Sequence, residues 1–156
     1  MPEAILLSNV SKAFGSGDAR TLALKDATFS AALGELHLVV GPSGCGKTTL
    51  LSVAAGTLAW DAGEVSVLGT RLNDLPKAKV TEFRRRHIGF IFQQFNLIPT
   101  LDLVENVSVP LLLNGHRRRV AEERAADILH RLGLAGRERK RPTQLSRSEE
   151  HTSELQ

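Results

Sequence analysis

The sequence predicts an α/β fold built round a phosphate-binding loop, and three observations carry that prediction. The first is Gly41-Pro-Ser-Gly-Cys-Gly-Lys-Thr48, which matches the pattern G-x-x-x-x-G-K-[ST]. The second is its setting. Leu36-His-Leu-Val-Val40 before it reads as a short buried strand, and Thr48 to Ala55 after it reads as the first turns of a helix. The third is composition. Hydrophobic residues make up 42% of the 156-residue chain but aromatics only 4%, the aliphatic balance of a core that buries parallel strands.

The chemistry follows from the order strand, glycine loop, helix. Successive backbone N–H groups converge on a phosphate there, with the helix dipole behind them. Gly41, Gly44 and Gly46 supply backbone angles and close approach that a side chain forbids. Lys47 is placed to reach the β- and γ-phosphates as a point charge, and the Thr48 hydroxyl to ligate Mg²⁺. Cys45, the only cysteine, excludes an intramolecular disulfide and occupies a loop position where a small side chain suffices.

Taken in order, Ile5 to Phe14 reads as a strand, Gly15 to Asp18 as a turn, and Leu22 to Ala32 as a second strand. Two strands joined by a turn form an antiparallel hairpin ahead of the loop. From spacing alone Phe14 could stack on an adenine ring or serve as a core or edge residue. Trp60 to Gly63 is a turn, Glu64 to Leu68 a strand closed by Gly69, and Lys77 to Arg86 a polar helix. Ile88-Gly-Phe-Ile-Phe92 reads as a compact apolar strand ending in Gln93, and the C-terminal ends of core strands are where ligands gather in open α/β sheets. Asp102 to Asn114 reads as a helix capped by Thr100 or Asp102 and broken at Pro110. Arg117 to Leu132 is amphipathic, with Ala121, Ala125, Ile128, Leu129 and Leu132 on one face and Gly133 as its stop.

Other function classes are disfavoured. The five histidines (37, 87, 116, 130 and 151) show no ligand spacing with one another or with Cys45, against a zinc site. Net charge is +3, and the basic clusters at 84–86, 117–119 and 137–141 read as solvated faces rather than a nucleic-acid surface, since no aromatics interleave them. No apolar run approaches a membrane span, and Met1-Pro-Glu-Ala lacks the basic start of a signal peptide.

Beyond the loop, the ordered motifs Gly41 to Leu51, Gly63-Glu-Val65, Arg86-His-Ile-Gly-Phe-Ile-Phe-Gln-Gln-Phe-Asn-Leu-Ile-Pro99 and Glu105-Asn-Val107 resemble the ATPase subunit of an ABC transporter. The wording is nearest to the lipoprotein-releasing, macrolide and heterocyst exporters, from about Ile5 to Ser146. The resemblance implies a P-loop NTPase of ABC type. Its parts would be an N-terminal antiparallel β subdomain, an incomplete RecA-like core and the start of a helical subdomain. It implies ATP and Mg²⁺ as ligands. On the resemblance Phe14 would stack on adenine, and Gly41, Pro42, Ser43, Gly44, Cys45, Gly46, Lys47, Thr48 and Thr49 would form the Walker A loop. Gln93 would touch Mg²⁺, with Thr48 as a further ligand, and the attacking water; Gln93 and Lys47 would be the catalytic residues present. Gln94 to Pro110 would meet an integral membrane permease subunit. A second ATPase subunit would complete the ATP sandwich, no nucleic acid is expected to take part, and the expected place of work is the cytoplasm at the inner face of the membrane, through the partner. A kinase or GTPase is a rival without its motifs, since no Asn-Lys-x-Asp occurs; a regulatory or scaffolding ATPase that acts on a membrane partner without transport is the alternative.

The pattern departs from the family after Pro142-Thr-Gln-Leu-Ser146, where Gly-Gly of the signature motif is expected. Arg147 to Gln156 instead match, codon for codon, the translation of AGA TCG GAA GAG CAC ACG TCT GAA CTC CAG, which resembles a short-read sequencing adapter. The expectation is a partial nucleotide-binding domain at 1–146 and a non-native tail at 147–156. Such a chain lacks the rest of the signature helix, the Walker B aspartate, the catalytic glutamate and the switch histidine, and is expected to be inactive and poorly stable.

Overall fold

The computed structural model describes residues 3–92 and 96–145. The chain divides into two compact units, Met1–Phe90 and Ile91–Gln156.

The first unit is organised by an antiparallel sheet of order β2-β1-β3-β4. β1 (Glu3–Phe14) and β2 (Thr21–Ala32) are the expected hairpin, twelve residues each, joined through Gly15 and a short 3₁₀ turn at Gly17–Ala19. A Cβ on Gly15 (φ +80°) would stand 2.5 Å from the Ala19 carbonyl oxygen, so this turn needs glycine. β3 (Ala62–Val67) pairs with the other edge of β1, from Ile5↔Val67 to Ser11↔Ala62, and the two-residue β4 (Thr70–Arg71) closes the sheet. α1 (Lys47–Ala54) lays Val53 and Ala54 on the sheet, where they join Leu7, Val10, Leu24, Val65, Val67 and Leu72 in an aliphatic core. α2 (Lys77–His87) has no buried residue, though Phe83 packs on the rim of that core.

Two expected strands do not form. Leu36–Val40 and Ile88–Phe92 lie in no ladder, and Leu36 is 99% and Ile91 98% exposed. Alternating aliphatic residues fit a pleated, buried surface, but a strand exists only where a neighbour takes up its N–H and C=O groups. Among the described residues no strand stands beside either segment. The lead-in to the loop is held by side chains instead. Glu35 Oε2 accepts from the Ala32 amide (2.9 Å) and contacts His37 Nε2 (2.8 Å), while the His37 ring meets Phe29 edge-on. The Ala32 N–H first, then His37, holds the Glu35 carboxyl below the usual range.

The second unit is a helix pair. α3 (Leu103–Leu113) begins with a full capping box: Asp102 Oδ1 accepts from the Glu105 amide (2.8 Å), and Glu105 Oε2 from the Asp102 amide (3.1 Å). Asp102 is therefore the cap, and Thr100 is not. α3 also runs through Pro110 rather than breaking there. The proline lies in the last turn, so it removes only the bond to the Asn106 carbonyl. The Asn114 amide then closes the end on the Pro110 and Leu111 carbonyls. α4 (Arg118–Arg131) buries Ala121, Ala125 and Leu129, the last two against Leu103 and Val104. Ile128 and Leu132, expected on the same face, are exposed, because they lie to one side of the narrow stripe that meets α3. Gly133 (φ +77°) stops the helix as expected, with the Leu134 amide donating back to the Leu129 carbonyl.

Asp102 also accepts from Arg139 Nη1 (3.2 Å), so one carboxylate joins the helix start to a loop beyond α4. Asp102→Ala is expected to destabilise this unit by about 1–2 kcal/mol. Urea denaturation and faster exchange of the Glu105 amide would register it; unchanged exchange there would contradict the cap.

Candidate nucleotide-binding site

The glycine loop joins the unpaired Leu36–Val40 segment to α1. Its three glycines have φ of +157° (Gly41), +80° (Gly44) and +91° (Gly46). Gly46 is the most constrained. A Cβ there would lie 2.5 Å from the Ala23 carbonyl oxygen and 3.3 Å from Leu24 Cδ2, so the end of the loop rests directly on the β2 backbone. Gly41 faces Cys45 Sγ, which a Cβ would meet at 2.8 Å. The sequence-level role of these glycines as points of close approach agrees with this geometry at Gly41 and Gly46.

Gly46 caps α1, and the first hydrogen bond of the helix runs from the Leu50 amide to the Gly46 carbonyl (2.8 Å). The amides of Lys47, Thr48 and Thr49 thus fall outside the helix's own bonding, at its positive end. Lys47 folds back over the loop: Nζ donates to the carbonyls of Gly41 (2.8 Å) and Pro42 (2.6 Å) and lies 3.6 Å from Cys45 Sγ. One primary ammonium, three main-chain donors and a glycine-lined turn therefore face the same space. Such a donor set can receive a polyanion. Pro42, Ser43 and Cys45 are exposed on the turn, Thr48 is exposed, and Thr49 is half-buried.

Phe14 ends β1, 45% exposed, with Thr21 opposite it. Thr21 is two residues from Ala23, whose carbonyl abuts Gly46. The sheet thus brings Phe14 to the strand end against which the loop closes. Two residues beside Phe14 were not singled out from the sequence: Lys12, 5.6 Å over the ring, and Asp61, which binds Lys12. Their only sequence signal was the position of Asp61 in the turn before β3. Gln93 and its neighbours Gln94 and Phe95 lie outside the described residues, as does 146–156. Of the stretch expected to meet a membrane subunit, residues 96–110 are described. Its loop is pinned by Asn106, whose Nδ2 donates to the carbonyls of Ile98, Leu101 and Asp102 and whose Oδ1 accepts from the Ile98 amide.

The ligands fit unequally. The loop has the donor set for phosphates. For Mg²⁺, no cluster of three His, Cys, Asp or Glu exists among the described residues, and Thr48 offers one hydroxyl. A magnesium ion here would draw its other ligands from phosphate oxygens and water, its usual habit.

The ABC transporter family model matches residues 24–155. The chain belongs to the ABC transporter family. It is 41% identical over 151 residues to LolD, the ATP-binding protein of the lipoprotein-releasing system of Cereibacter sphaeroides, a match covering 96% of this chain and 67% of that protein. It is 38% identical over 140 residues to MacB, the macrolide export ATP-binding/permease protein of Pectobacterium atrosepticum, covering 90% of this chain and 22% of that one. Among solved structures, the dimeric ATP-binding cassette MJ0796 in a post-hydrolysis state with ADP and Pi superposes with a TM-score of 0.82 at 35% identity. That match covers 90% of this ABC chain and 62% of the cassette. The P-loop NTPase fold of ABC type, expected from the motifs, is thereby shown.

Proposed function

We propose that the protein is the ATP-binding subunit of an export system. In it Gly41 to Thr49 hold the phosphates of ATP, Thr48 and Gln93 contact Mg²⁺, and Phe14 stacks on adenine. The carrying observation is the convergence of Lys47 Nζ and the α1 N-terminus on one glycine-lined turn. A bound Mg²⁺, held in part by the Thr48 hydroxyl, would supply charge neutralisation of the phosphates. The chain's own residues orient the triphosphate and grip the base. Its LolD and MacB relatives, and the dimeric cassette, support a second ATPase copy and a membrane permease as partners. They also support work at the cytoplasmic face of the membrane, where we propose that the 156-residue chain binds ATP without turning it over. We further propose that residues 1–146 are the native part and 147–156 a non-native tail, which long-read sequencing across codon 147 tests.

Calorimetric titration of the chain with ATP and GTP, with and without Mg²⁺, tests the ligand. Magnesium-dependent binding with ATP preferred is the expected result. Preference for GTP would overturn the adenine assignment, and no binding of either would overturn the site.

A further inference from the structure

The end of β1 that carries Phe14 outruns its neighbour on one side. β3 pairs with β1 only as far as Ser11↔Ala62, so Lys12, Ala13 and Phe14 have β2 alone beside them. The β1–β2 register is itself irregular between Lys12 and Ala13. At this point Asp61, the residue before β3, takes the place of a paired strand. Its amide donates to the Ser11 carbonyl (2.9 Å). Its Oδ2 accepts from the Ala13 amide (2.8 Å), and its Oδ1 from Lys12 Nζ (3.0 Å). Lys12 is only 15% exposed, and its ammonium stands 5.6 Å from the centroid of the Phe14 ring.

We propose that Asp61 is a positioning residue for the nucleobase: it fixes the last three residues of β1 and sets Lys12 against one face of Phe14, leaving the other face for the base. The inference rests on the nucleotide-binding function above. A surface ion pair by itself contributes little. Asp61 differs because the same carboxylate also holds a main-chain amide one residue from the stacking ring. Charge and backbone are therefore fixed together. The ammonium on the ring's π face holds the aromatic plane by cation–π attraction, so the ring meets a base without first being ordered. The Ala13 N–H, then Lys12, keeps the Asp61 carboxyl below its usual range, so it stays charged at neutral pH.

The test separates base from phosphate. Affinities of the chain for Mg²⁺-ATP and for inorganic tripolyphosphate are measured for the parent, Phe14→Ala, Asp61→Ala and Asp61→Asn. Phe14→Ala is expected to weaken ATP about tenfold and leave tripolyphosphate unchanged. Asp61→Ala is expected to weaken ATP about fivefold, again with tripolyphosphate unchanged. Asp61→Asn should lie between, since the amide keeps an acceptor for the Ala13 N–H but no charge for Lys12. If Phe14→Ala alone shifts ATP, the inference fails while the base-stacking assignment stands. If Phe14→Ala has no effect, both fall. Equal loss of both ligands in Asp61→Ala would mark a general structural role and overturn the proposal. A second measurement needs no nucleotide. In Asp61→Ala the Phe14 ring resonances should shift and the Ala13 amide should exchange faster; unchanged ring resonances overturn the proposal.

Discussion

Lys47→Ala is expected to lower ATP affinity at least about 100-fold while moving thermal stability little. Each charge-assisted hydrogen bond that the ammonium makes to a phosphate oxygen contributes about 1.5–3 kcal/mol, and two such bonds amount to a factor of about 100 or more. The lysine is already aimed there, because Nζ lies on the Gly41 and Pro42 carbonyls at the edge of the turn. Those carbonyls belong to exposed residues, so water replaces the ammonium when it is removed. Calorimetry and a melting curve on the same sample decide the matter. Binding kept within threefold would remove the loop as the phosphate site. A large fall in melting temperature would make Lys47 a structural residue of the loop.

Gly63→Ala is expected to cost about 3–5 kcal/mol. Gly63 sits in β3 with φ +90°, a region L-residues enter at a cost of about 1–2 kcal/mol. Its Cα also lies against the backbone of β1. An added Cβ would stand 2.4 Å from the Asn9 carbonyl oxygen, 2.6 Å from its carbon and 2.6 Å from the Ser8 oxygen. All three are main-chain atoms, so no rotamer relieves the clash, and the β1–β3 pair must open where its register shifts between Ser8 and Ser11. The Gly63 carbonyl, which accepts from Trp60 Nε1 and Asn73 Nδ2, would move with it. Urea denaturation followed by fluorescence of Trp60, the only tryptophan, reads the loss. Gly69→Ala is the control. Its φ is +74° but nothing lies within 4 Å of the new carbon, so about 1 kcal/mol is expected. Equal losses at the two positions would show that backbone angle alone, not the contact with β1, sets the cost.

The features legible from residue order are those whose causes lie within a few neighbours. The β1–β2 hairpin follows from alternation on both sides of a glycine turn. The loop and the start of α1 follow from glycine spacing and Lys47. The stop of α4 follows from Gly133, while the start of α3 is narrowed by residue order only to Thr100 or Asp102, and the hydrogen bonds to Glu105 choose Asp102. Motif order carried the family as well, because Gly41 to Thr49, Gly63-Glu-Val65 and Glu105-Asn-Val107 each have a local physical reason to be what they are.

Packing settled the remainder. Leu36–Val40 and Ile88–Phe92 have the composition of strands, yet a ladder requires a paired strand, and neither segment belongs to the sheet among the described residues. Ile128 and Leu132 share the periodicity of Leu129, but the packing of Leu103 and Val104 of α3 takes in Ala125 and Leu129 and leaves Ile128 and Leu132 exposed. The pairing of β3 with β1 brings Asp61 to Lys12 and Ala13, 49 and 48 residues away, and so places a charge beside Phe14. Local order specifies conformations that a turn or a cap can enforce alone. Burial, pairing and the setting of the Phe14 ring depend on contacts between distant segments, which no run of neighbouring residues contains.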